Sequence, residues 1–347
     1  MIEQNFGGST ALSVGVEEEV MILDAETLAL SPSVELLIGE SEKVELPGRL
    51  KTELFASVVE LNTGVHQTVA EATEELASLR ARAKKAAAEA GLVLAAAGTW
   101  PTAVPEEQPV GESPAYRKFV DYAGPSARRQ YVSGLHVHVG MESPEACMAA
   151  LEAVLPWLPL VLALSANSPY IEGEDTGLCS ARAETLALLP RSAAPPVFAG
   201  YADWEQFVER LVVLGLADEI TRVWWDVRPH PRFGTLEIRI ADQPTRLETT
   251  GALAVLLQAM VSGLEGDGPA DRGLYAQNRW AALRFGHEAE LVHPDGSRLV
   301  SVPELLGELA ERIGSPKPDV PDQAREQLEV GRTDGLESVC RRLVELT

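Results

Sequence analysis

Glu17 and Glu19 are two carboxylates separated by one residue in segment 13–23, whose even positions, apart from Glu18, are apolar and β-branched. This period of two predicts a β-strand with one buried face and one face that carries both carboxylates. Same-face side chains lie about 6.6 Å apart, and two unit charges at that distance repel by roughly 2.5 kcal/mol at an effective dielectric constant of 20. A strand that keeps this repulsion is expected to serve a binding or catalytic purpose. Glu18 falls on the apolar face, where we expect a buried or edge salt bridge without a catalytic role.

Three further segments repeat this design, with apolar residues on one face and polar or ionisable residues on the other. Their polar pairs are His136 and His138 in segment 133–141, Glu237 and Arg239 in segment 235–241, and Glu60 and Asn62 in segment 56–63. A solvated outer face usually mixes Lys, Thr and Ser, whereas these faces hold mainly carboxylates, imidazoles and guanidinium groups. The pattern predicts an α+β fold: one antiparallel sheet, helices on its apolar face and a polar cleft over the other.

Glu53 precedes Glu60 by seven residues, which is out of phase for one continuous strand. It would have to approach the cleft from the loop before the strand, or else both residues would lie on a helix. Clustered carboxylates without nearby lysines favour Mg²⁺ or Mn²⁺. The two histidines could instead favour zinc, but the chain has neither an HExxH motif nor a cysteine cluster. It also lacks Walker A and GxGxxG motifs, so a phosphate ligand would be held through metals and arginines.

Arg182 and Cys179 lie in segment 177–182, which is typical of a loop that enters a helix. A guanidinium at the start of a helix forms a corner that can bind a carboxylate. A surface salt bridge is the alternative for Arg182. For Cys179 we expect a buried structural thiol.

The chain has 347 residues and a formal net charge of −23, with 52 acidic against 29 basic residues. Nucleic acid and anionic membranes are therefore poor partners, because both need a basic surface. Three cysteines without metal-ligand spacing suit a reducing cytoplasm. The first residues lack the features of a signal peptide, and the apolar run 154–166 is too short to span a bilayer and contains two prolines. We therefore expect a cytoplasmic protein.

The pattern of helices and turns predicts a single catalytic domain over residues 1–347, with a core of about 12–290 and a C-terminal helical segment, 301–347, packed on it. Segment 68–90 is the strongest helix, with a capping box formed by Thr68 and Glu71. Similar pairs predict helix starts at Asp203 and Asp334. Segments 223–228 and 235–241 are expected to form a hairpin through 229–234.

These segments together resemble the carboxylate–amine ligase family, whose members are often called type 2 glutamate–cysteine ligases. The resemblance covers roughly residues 12–290 in order and spacing. Any one of the motifs would be weak, but the set is specific. The motifs are VGVEEE (14–19), ELNT (60–63), GLHVHVG (134–140), LSANSP (164–169), WDVRP (225–229), GTLEIR (234–239) and NRW (278–280).

The resemblance implies the glutamine synthetase superfold, in which a curved antiparallel sheet forms a funnel for ATP, Mg²⁺ (or Mn²⁺) and glutamate. It also implies a reaction in which ATP phosphorylates a carboxylate and an amine displaces the phosphate to give an amide. The implied metal ligands are Glu17, Glu19, Glu53, Glu60 and Glu237. The implied catalytic residues are Arg239 at the transferred phosphoryl group, Glu237, and Arg182 at the substrate carboxylate. The implied cofactor-binding residues are His136, His138, Arg228 and Asn167, with Arg228 an alternative carboxylate contact and the histidines able to contact nucleotide, metal or amine.

Two other functions fit the same residues. A metal-dependent hydrolase would use His136 and His138, and a non-catalytic ATP-binding regulatory protein would keep the site without turnover. The sequence leaves open which amino acid and amine are the small-molecule substrates, and whether the chain forms a homo-oligomer.

Overall fold

The computed structural model describes residues 2–41, 48–217, 222–266 and 268–347. Its strands are β1 (Val14–Asp24), β2 (Arg49–Thr52), β3 (Val58–Asn62), β4 (Leu92–Ala95), β5 (Leu135–Gly140), β6 (Tyr170–Ile171), β7 (Glu174–Asp175), β8 (Ser192–Ala193), β9 (Trp224–Trp225), β10 (Val227–His230), β11 (Thr235–Ile238), β12 (Glu290–Val292) and β13 (Leu299–Ser301). Its helices are α1 (Val34–Ser41), α2 (Val69–Glu89), α3 (Pro114–Ala123), α4 (Pro125–Arg128), α5 (Pro144–Val154), α6 (Leu158–Ser165), α7 (Ala181–Leu186), α8 (Tyr201–Val213), α9 (Leu247–Gly263), α10 (Arg272–Phe285), α11 (Val302–Ile313), α12 (Gln323–Asp334) and α13 (Leu336–Leu346).

A seven-stranded antiparallel sheet forms the centre of the protein, in the order β10–β11–β5–β1–β3–β2. The seventh strand, β4, pairs with the far end of β1, from Met21 to Asp24. The predicted α+β fold with one large antiparallel sheet is therefore confirmed. β1 is the central strand because β3, β4 and β5 all pair with it.

Helices cover one face of the sheet, where the even-numbered residues of β1 are buried. Helices α2, α5 and α9 contact the sheet strands, and the core that they share includes Val16 and Ile22 of β1. Glu18 lies in this layer and is fully buried. Arg80 of α2 bonds both of its oxygens, at 2.6 and 2.7 Å, so the predicted salt bridge of Glu18 is present.

The opposite face of β1 is polar at Gly15, Glu17 and Glu19, then becomes apolar at Met21 and Leu23. These two apolar residues belong to a second core, which includes residues from segments 100–131 and 339–343. The second core therefore closes one end of the polar face, and helix α13 also contacts β4.

Two predicted helix starts needed correction. Helix α8 begins at Tyr201 after Gly200, and Asp203 does not cap it but accepts a bond from the Ala199 amide. Asp334 is the last residue of α12, and α13 begins after Gly335 without a side-chain cap. In both places a glycine makes the turn that precedes the helix, which a capping pattern does not reveal.

The predicted hairpin is present in part, between β10 and β11, and its loop is shorter than expected, since Pro229 and His230 continue β10. Trp224 and Trp225, which were predicted to belong to the same strand, instead form β9, which pairs in parallel with β8. The short strand β2 was not predicted. For helix α2, the predicted capping box is present, with Thr68 accepting from the Glu71 amide and Glu71 accepting from the Thr68 amide.

Among the residues that the structure describes, one run, Pro144–Ser165, is long and apolar enough to cross a membrane, with a mean hydropathy of 2.0. It comprises α5, a short turn and α6, and it is longer than the apolar run 154–166. The two prolines do not end it, because Pro156 and Pro159 each lie in the first turn of a new helical segment. Within its most apolar window 83% of the residues are buried inside the protein, as in a core helix.

Candidate active site

The register of the sheet brings the predicted polar residues together on its open face. Side chains of directly opposed residues on neighbouring strands point to the same side of the sheet. The opposed pairs are Glu17 with His136 and Asn62, Glu19 with Glu60, and Glu237 with His138 and Arg228. Strands that are distant in the sequence thus contribute to one continuous polar surface.

Glu19, Glu53 and Glu60 form an acidic cluster, in which one carboxylate oxygen from each lies within 4.8 Å of the others. Glu53 reaches the cluster from the segment between β2 and β3, so the first of its two predicted routes is the one observed. Lys51 of β2 lies 3.5 Å from Glu60, and the Gly134 amide donates to Glu19 at 2.6 Å. The cluster is nevertheless richer in negative than in positive charge.

The pKa values of the acidic cluster reflect this imbalance. Burial, followed by the charge of Glu53, raises the pKa of Glu19 to about 8. Burial and the neighbouring charges of Glu17 and Glu53 raise the pKa of Glu60 well above its usual range, and burial also raises that of Glu53. Three convergent carboxylates whose charges repel are the donor set that a hard divalent cation prefers. The residues therefore fit Mg²⁺ or Mn²⁺.

Glu17 lies beside this cluster in a different environment. Its oxygens accept a bond from Asn62 Nδ2 at 2.6 Å and lie 3.4 Å from His136 Nδ1 and 3.7 Å from His138 Nε2. Although burial opposes the shift, the two imidazoles hold the pKa of Glu17 well below its usual range. The Thr235 hydroxyl, 2.9 Å from His138 Nδ1, orients that ring.

Burial and the charge of Arg239 lower the pKa of His136 to about 4, so this imidazole is neutral at physiological pH. A neutral imidazole can position a ligand or bind a metal through its free nitrogen. His136 Nε2 lies 3.8 Å from Glu19, which places the ring between Glu17 and the acidic cluster.

The negative charge of Glu237 is neutralised by two arginines of the protein. Arg228 donates to both of its oxygens, at 2.7 and 3.0 Å, and Arg239 donates to Oε1 at 2.5 Å. Burial opposes the shift, but the charges of Arg228 and Arg239 hold the pKa of Glu237 well below its usual range. Glu237 thus keeps Arg239 on the polar face.

Arg182 is buried behind the same face, with its guanidinium donating to the main-chain carbonyls of Ile240 at 3.2 Å and Arg239 at 3.1 Å. It also lies 3.8 Å from Asp242. Its Nε has no hydrogen-bond partner among the residues that the structure describes. A Cβ on Gly134 would overlap the guanidinium, which explains the glycine there. Arg182 is therefore a buried cation and not a surface salt bridge.

Asn167 is the predicted site residue that the structure does not bring to the polar face. Its amide donates to the Gln243 carbonyl at 2.8 Å and to Thr245 Oγ1 at 3.0 Å, and its Oδ1 accepts from Gln327 of α12 at 2.7 Å. Its main-chain amide donates to Asp242 at 2.9 Å. Cys179 is half-buried, not fully buried as expected, and burial raises its pKa to about 12.

Two cavities flank the carboxylates. The larger, of about 620 Å³, is bordered by Glu17 and His138 together with Asn62, and by the segments around Gly48 and Gly64. The smaller, of about 120 Å³, is bordered by Glu19, Glu53, His136, Arg182 and Arg239. Glu17 therefore faces the larger cavity, and Glu19 and Glu53 face the smaller one.

The sequence did not single out several residues around these cavities. Arg49 and Lys51 of β2 border the larger cavity, and Tyr116 and Gln130 border the smaller one. The alternation of charged and uncharged residues in Arg49–Thr52 is the signal for β2, but four residues are too few to establish a period. For Tyr116 and Gln130 no local pattern exists.

A family model for glutamate–cysteine ligase family 2 matches residues 13–333. A relative from Rubrobacter xylanophilus, named "Putative glutamate--cysteine ligase 2-3", is 42% identical over 313 residues, which cover 90% of this chain and 86% of the relative. A relative from Sorangium cellulosum, "Putative glutamate--cysteine ligase 2", is 38% identical over 309 residues, covering 87% of this chain and 82% of the relative.

Among solved structures, the glutamate–cysteine ligase of Francisella tularensis in complex with AMP matches with a TM-score of 0.68 and 16% identity, over 97% of this chain and 89% of that one. A bifunctional glutathione synthetase from Pasteurella multocida matches with a TM-score of 0.65 and 18% identity, over 96% of this chain and 50% of that one. At these identities the two structures show a shared fold.

The family model and the relatives confirm the resemblance carried by the seven sequence motifs, and they favour a ligase over the hydrolase alternative. The chain belongs to glutamate–cysteine ligase family 2 and is an ATP-dependent carboxylate–amine ligase.

Proposed function

We propose that the open face of the sheet is the active site of one catalytic domain, which joins the γ-carboxyl group of glutamate to cysteine or another small amine. The observation that carries this proposal is the acidic cluster of Glu19, Glu53 and Glu60. Glu19 and Glu53 border the smaller cavity together with Arg239, and the neighbouring Glu17 borders the larger one. Phosphoryl transfer needs charge neutralisation and positioning more than covalent chemistry, and this arrangement offers both.

The nucleotide occupies the larger cavity in this proposal. A volume of about 620 Å³ lies within the usual range of roughly 300–1,000 Å³ for ligand sites. Arg49, Lys51 and Arg232 border it and supply positive charge for phosphates. His138 contributes a donor or acceptor at the end nearest Glu17, and His136 separates the two compartments.

The residues that would hold divalent cations are Glu19, Glu53 and Glu60 as one group, with Glu17 and Glu237 as further ligands beside the histidines. When bound, Mg²⁺ or Mn²⁺ neutralises phosphate charge and stabilises the transferring phosphoryl group. Glu237 differs from the other four because Arg228 and Arg239 already occupy its oxygens. Its role as a ligand would require Arg239 to turn toward the phosphoryl group.

The carboxylate substrate and the amine meet in the smaller cavity. Arg182 provides buried positive charge there, and its bonds to the carbonyls of 239 and 240 fix the main chain that carries Arg239. Tyr116, Phe119 and Trp224 form an aromatic wall. A volume of about 120 Å³ restricts the reactants to small molecules.

Asn167 fits a structural role better than its expected contact with nucleotide. It joins the segment of Asp242 to helix α12, and Asp242 in turn lies beside Arg182. The C-terminal end of helix α13 is also joined to the end of β4, since the Ala96 amide donates to Thr347 Oγ1 at 2.8 Å. These contacts support one domain over residues 1–347 with the C-terminal helices packed on its core.

We also propose a cytoplasmic location, supported by three free cysteines, two of them buried. The net charge of −23 supports small-molecule substrates and argues against nucleic acid as a partner.

An ADP-release screen over pairs of carboxylates and amines tests the proposal. We expect ADP only when ATP, a divalent cation, glutamate and a suitable amine are all present, with the amide product detected by mass spectrometry. ADP formed without any amine, or no ADP across a broad panel at saturating ATP, would overturn it. Tight ATP binding without turnover would instead support the regulatory alternative.

A further inference from the structure

Two short segments form the outer rim of the larger cavity. Gly48 leads into β2, and Gly64 follows β3, and both border the cavity together with Val65. Both glycines lie just outside the bounds of their strands. Because neither glycine lies within a strand, its position depends on the hydrogen bond that its main-chain amide donates.

Glu75 of α2 bonds both segments at once. Its Oε1 accepts from the Gly48 amide at 2.6 Å, and its Oε2 accepts from the Gly64 amide at 2.7 Å. His66 Nε2 lies 2.6 Å from the same Oε2. Although burial opposes the shift, these three partners lower the pKa of Glu75, so it is an ionised carboxylate that can only accept. His66 must therefore donate through Nε2.

The fit around this carboxylate is close. A Cβ on Gly48 would overlap the Asn62 carbonyl and approach Glu75 Oε1 at 3.1 Å. His66 is held in turn by two main-chain bonds to Val14, at 2.8 and 2.9 Å. The rim is thus fixed to helix α2 and to the start of β1, while Glu75 does not itself border the cavity.

The geometry points to Glu75 as a positioning residue for nucleotide binding, which acts by holding the two rim segments and the cations of β2 in place. This inference rests on the proposed function of the larger cavity. Arg49 directly follows Gly48, and Lys51 lies on the same strand. Releasing Gly48 would let both cations move away from the phosphates. The other end of β2, where Thr52 pairs with Val59 and leads to Glu53 of the smaller cavity, would stay held by β3.

The test compares Glu75→Gln with the wild-type protein and with Glu74→Gln, a change at an exposed neighbour on the same helix. The glutamine amide must face at least one N–H donor, so a rim bond is lost while the side-chain size is kept. We expect the Kd for Mg-ATP, measured by calorimetry, and the KM for ATP to rise about tenfold in Glu75→Gln. The kcat at saturating ATP and the KM for glutamate should stay within about twofold, and Glu74→Gln should match the wild type.

An unchanged Kd for Mg-ATP in folded Glu75→Gln would overturn the inference, and so would an equal rise in both KM values. If Glu75→Gln does not fold, His66→Ala decides the question, because it removes one donor and keeps the carboxylate. A rise of about threefold in its Kd for Mg-ATP supports the inference, and no rise overturns it. A wild-type protein that binds no Mg-ATP would overturn the proposed function itself, which separates the two failures.

Discussion

Glu18 and Glu19 are consecutive buried carboxylates on one strand, yet their surroundings are opposite. On the helix side, Glu18 accepts two bonds from Arg80, one from Thr250 at 2.5 Å and one from Gln243 at 3.1 Å. On the open side, Glu19 faces two more carboxylates. The charge of Glu18, which stabilises the fold, is neutralised within the protein. The charge of Glu19, which we assign to catalysis, is not.

The difference shows how a functional site can be distinguished from a structural ion pair. Both environments place charge in the protein interior, which is costly unless a partner is present. For Glu18 the partner is Arg80 of the same chain. For Glu19, burial and the neighbouring Glu53 raise the pKa to about 8. Such a cluster destabilises the protein on its own and is consistent with an external cation.

The largest effect is expected from Arg80→Ala, which would leave Glu18 buried without its cation. We expect the free energy of unfolding, measured by urea denaturation, to fall by about 3–5 kcal/mol. Lys85→Ala, at an exposed position on the same helix, should change it by less than about 0.5 kcal/mol. A loss below about 1 kcal/mol in Arg80→Ala would contradict a structural role for the ion pair of Glu18 and Arg80.

Glu60→Gln should separate stability from activity. Removing one of three carboxylates that repel when ionised should raise the stability of the metal-free protein at pH 8 or above on the order of 1 kcal/mol, because charges a few ångströms apart repel by at least that much. The rate of ADP formation should nevertheless fall by roughly 10²-fold, which is a typical loss when a group that stabilises the charge of the transition state is removed. Chemical denaturation in EDTA and a steady-state assay measure the two quantities, and a simultaneous loss of both would contradict this assignment.

The pH dependence of stability should reveal the raised pKa of Glu19. The pKa of Glu19 is about 8 in the folded protein and near 4.5 when unfolded, so the folded state holds the extra proton between these values. Its contribution to stability is full below about pH 4.5 and is lost as the pH rises toward 8. We expect the metal-free wild type to lose roughly 2 kcal/mol more than Glu19→Gln across this range, because coupled carboxyls share the protons. Parallel urea denaturation at several pH values measures the difference, and identical pH profiles for the two proteins would contradict it.

The smallest of these effects is expected in the Tm when Mg²⁺ is added to the protein. At pH 8, where the cluster carries more negative charge than at pH 5, addition of Mg²⁺ should raise the Tm, whereas at pH 5 protons already occupy the cluster and the rise should be small. Equal stabilisation at both pH values, or the same stabilisation in Glu60→Gln, would mean that the cation binds elsewhere.

The faces of the strands could be predicted from sequence because a period of two assigns each residue to one side. This period separates Glu17 and Glu19 from Glu18, and it places His136, His138 and Glu237 on the polar faces of their own strands. Their proximity follows from strand order, which the pattern does not encode. Glu53 shows the limit, since its route to the cluster depends on a loop.

The surroundings of Asn167 and Glu75 could not be predicted for a related reason. Asn167 bonds Gln327, which is 160 residues away, and Arg80 bonds Glu18 across 62 residues. Glu75 lies in an ordinary helical pattern, and only the folded chain shows that its carboxylate receives the amides of Gly48 and Gly64. Long-range hydrogen bonds of single side chains leave no periodic trace in the sequence.

The most direct test of the active-site assignment is the rate of ADP formation by Glu19→Gln as a function of Mg²⁺ concentration, with the wild type as reference. We expect the wild type to need Mg²⁺ and both substrates, and Glu19→Gln to lose at least about 10²-fold in rate while remaining folded. Turnover that survives in Glu19→Gln with an unchanged Mg²⁺ dependence would contradict the assignment of the open face of the sheet as the catalytic site.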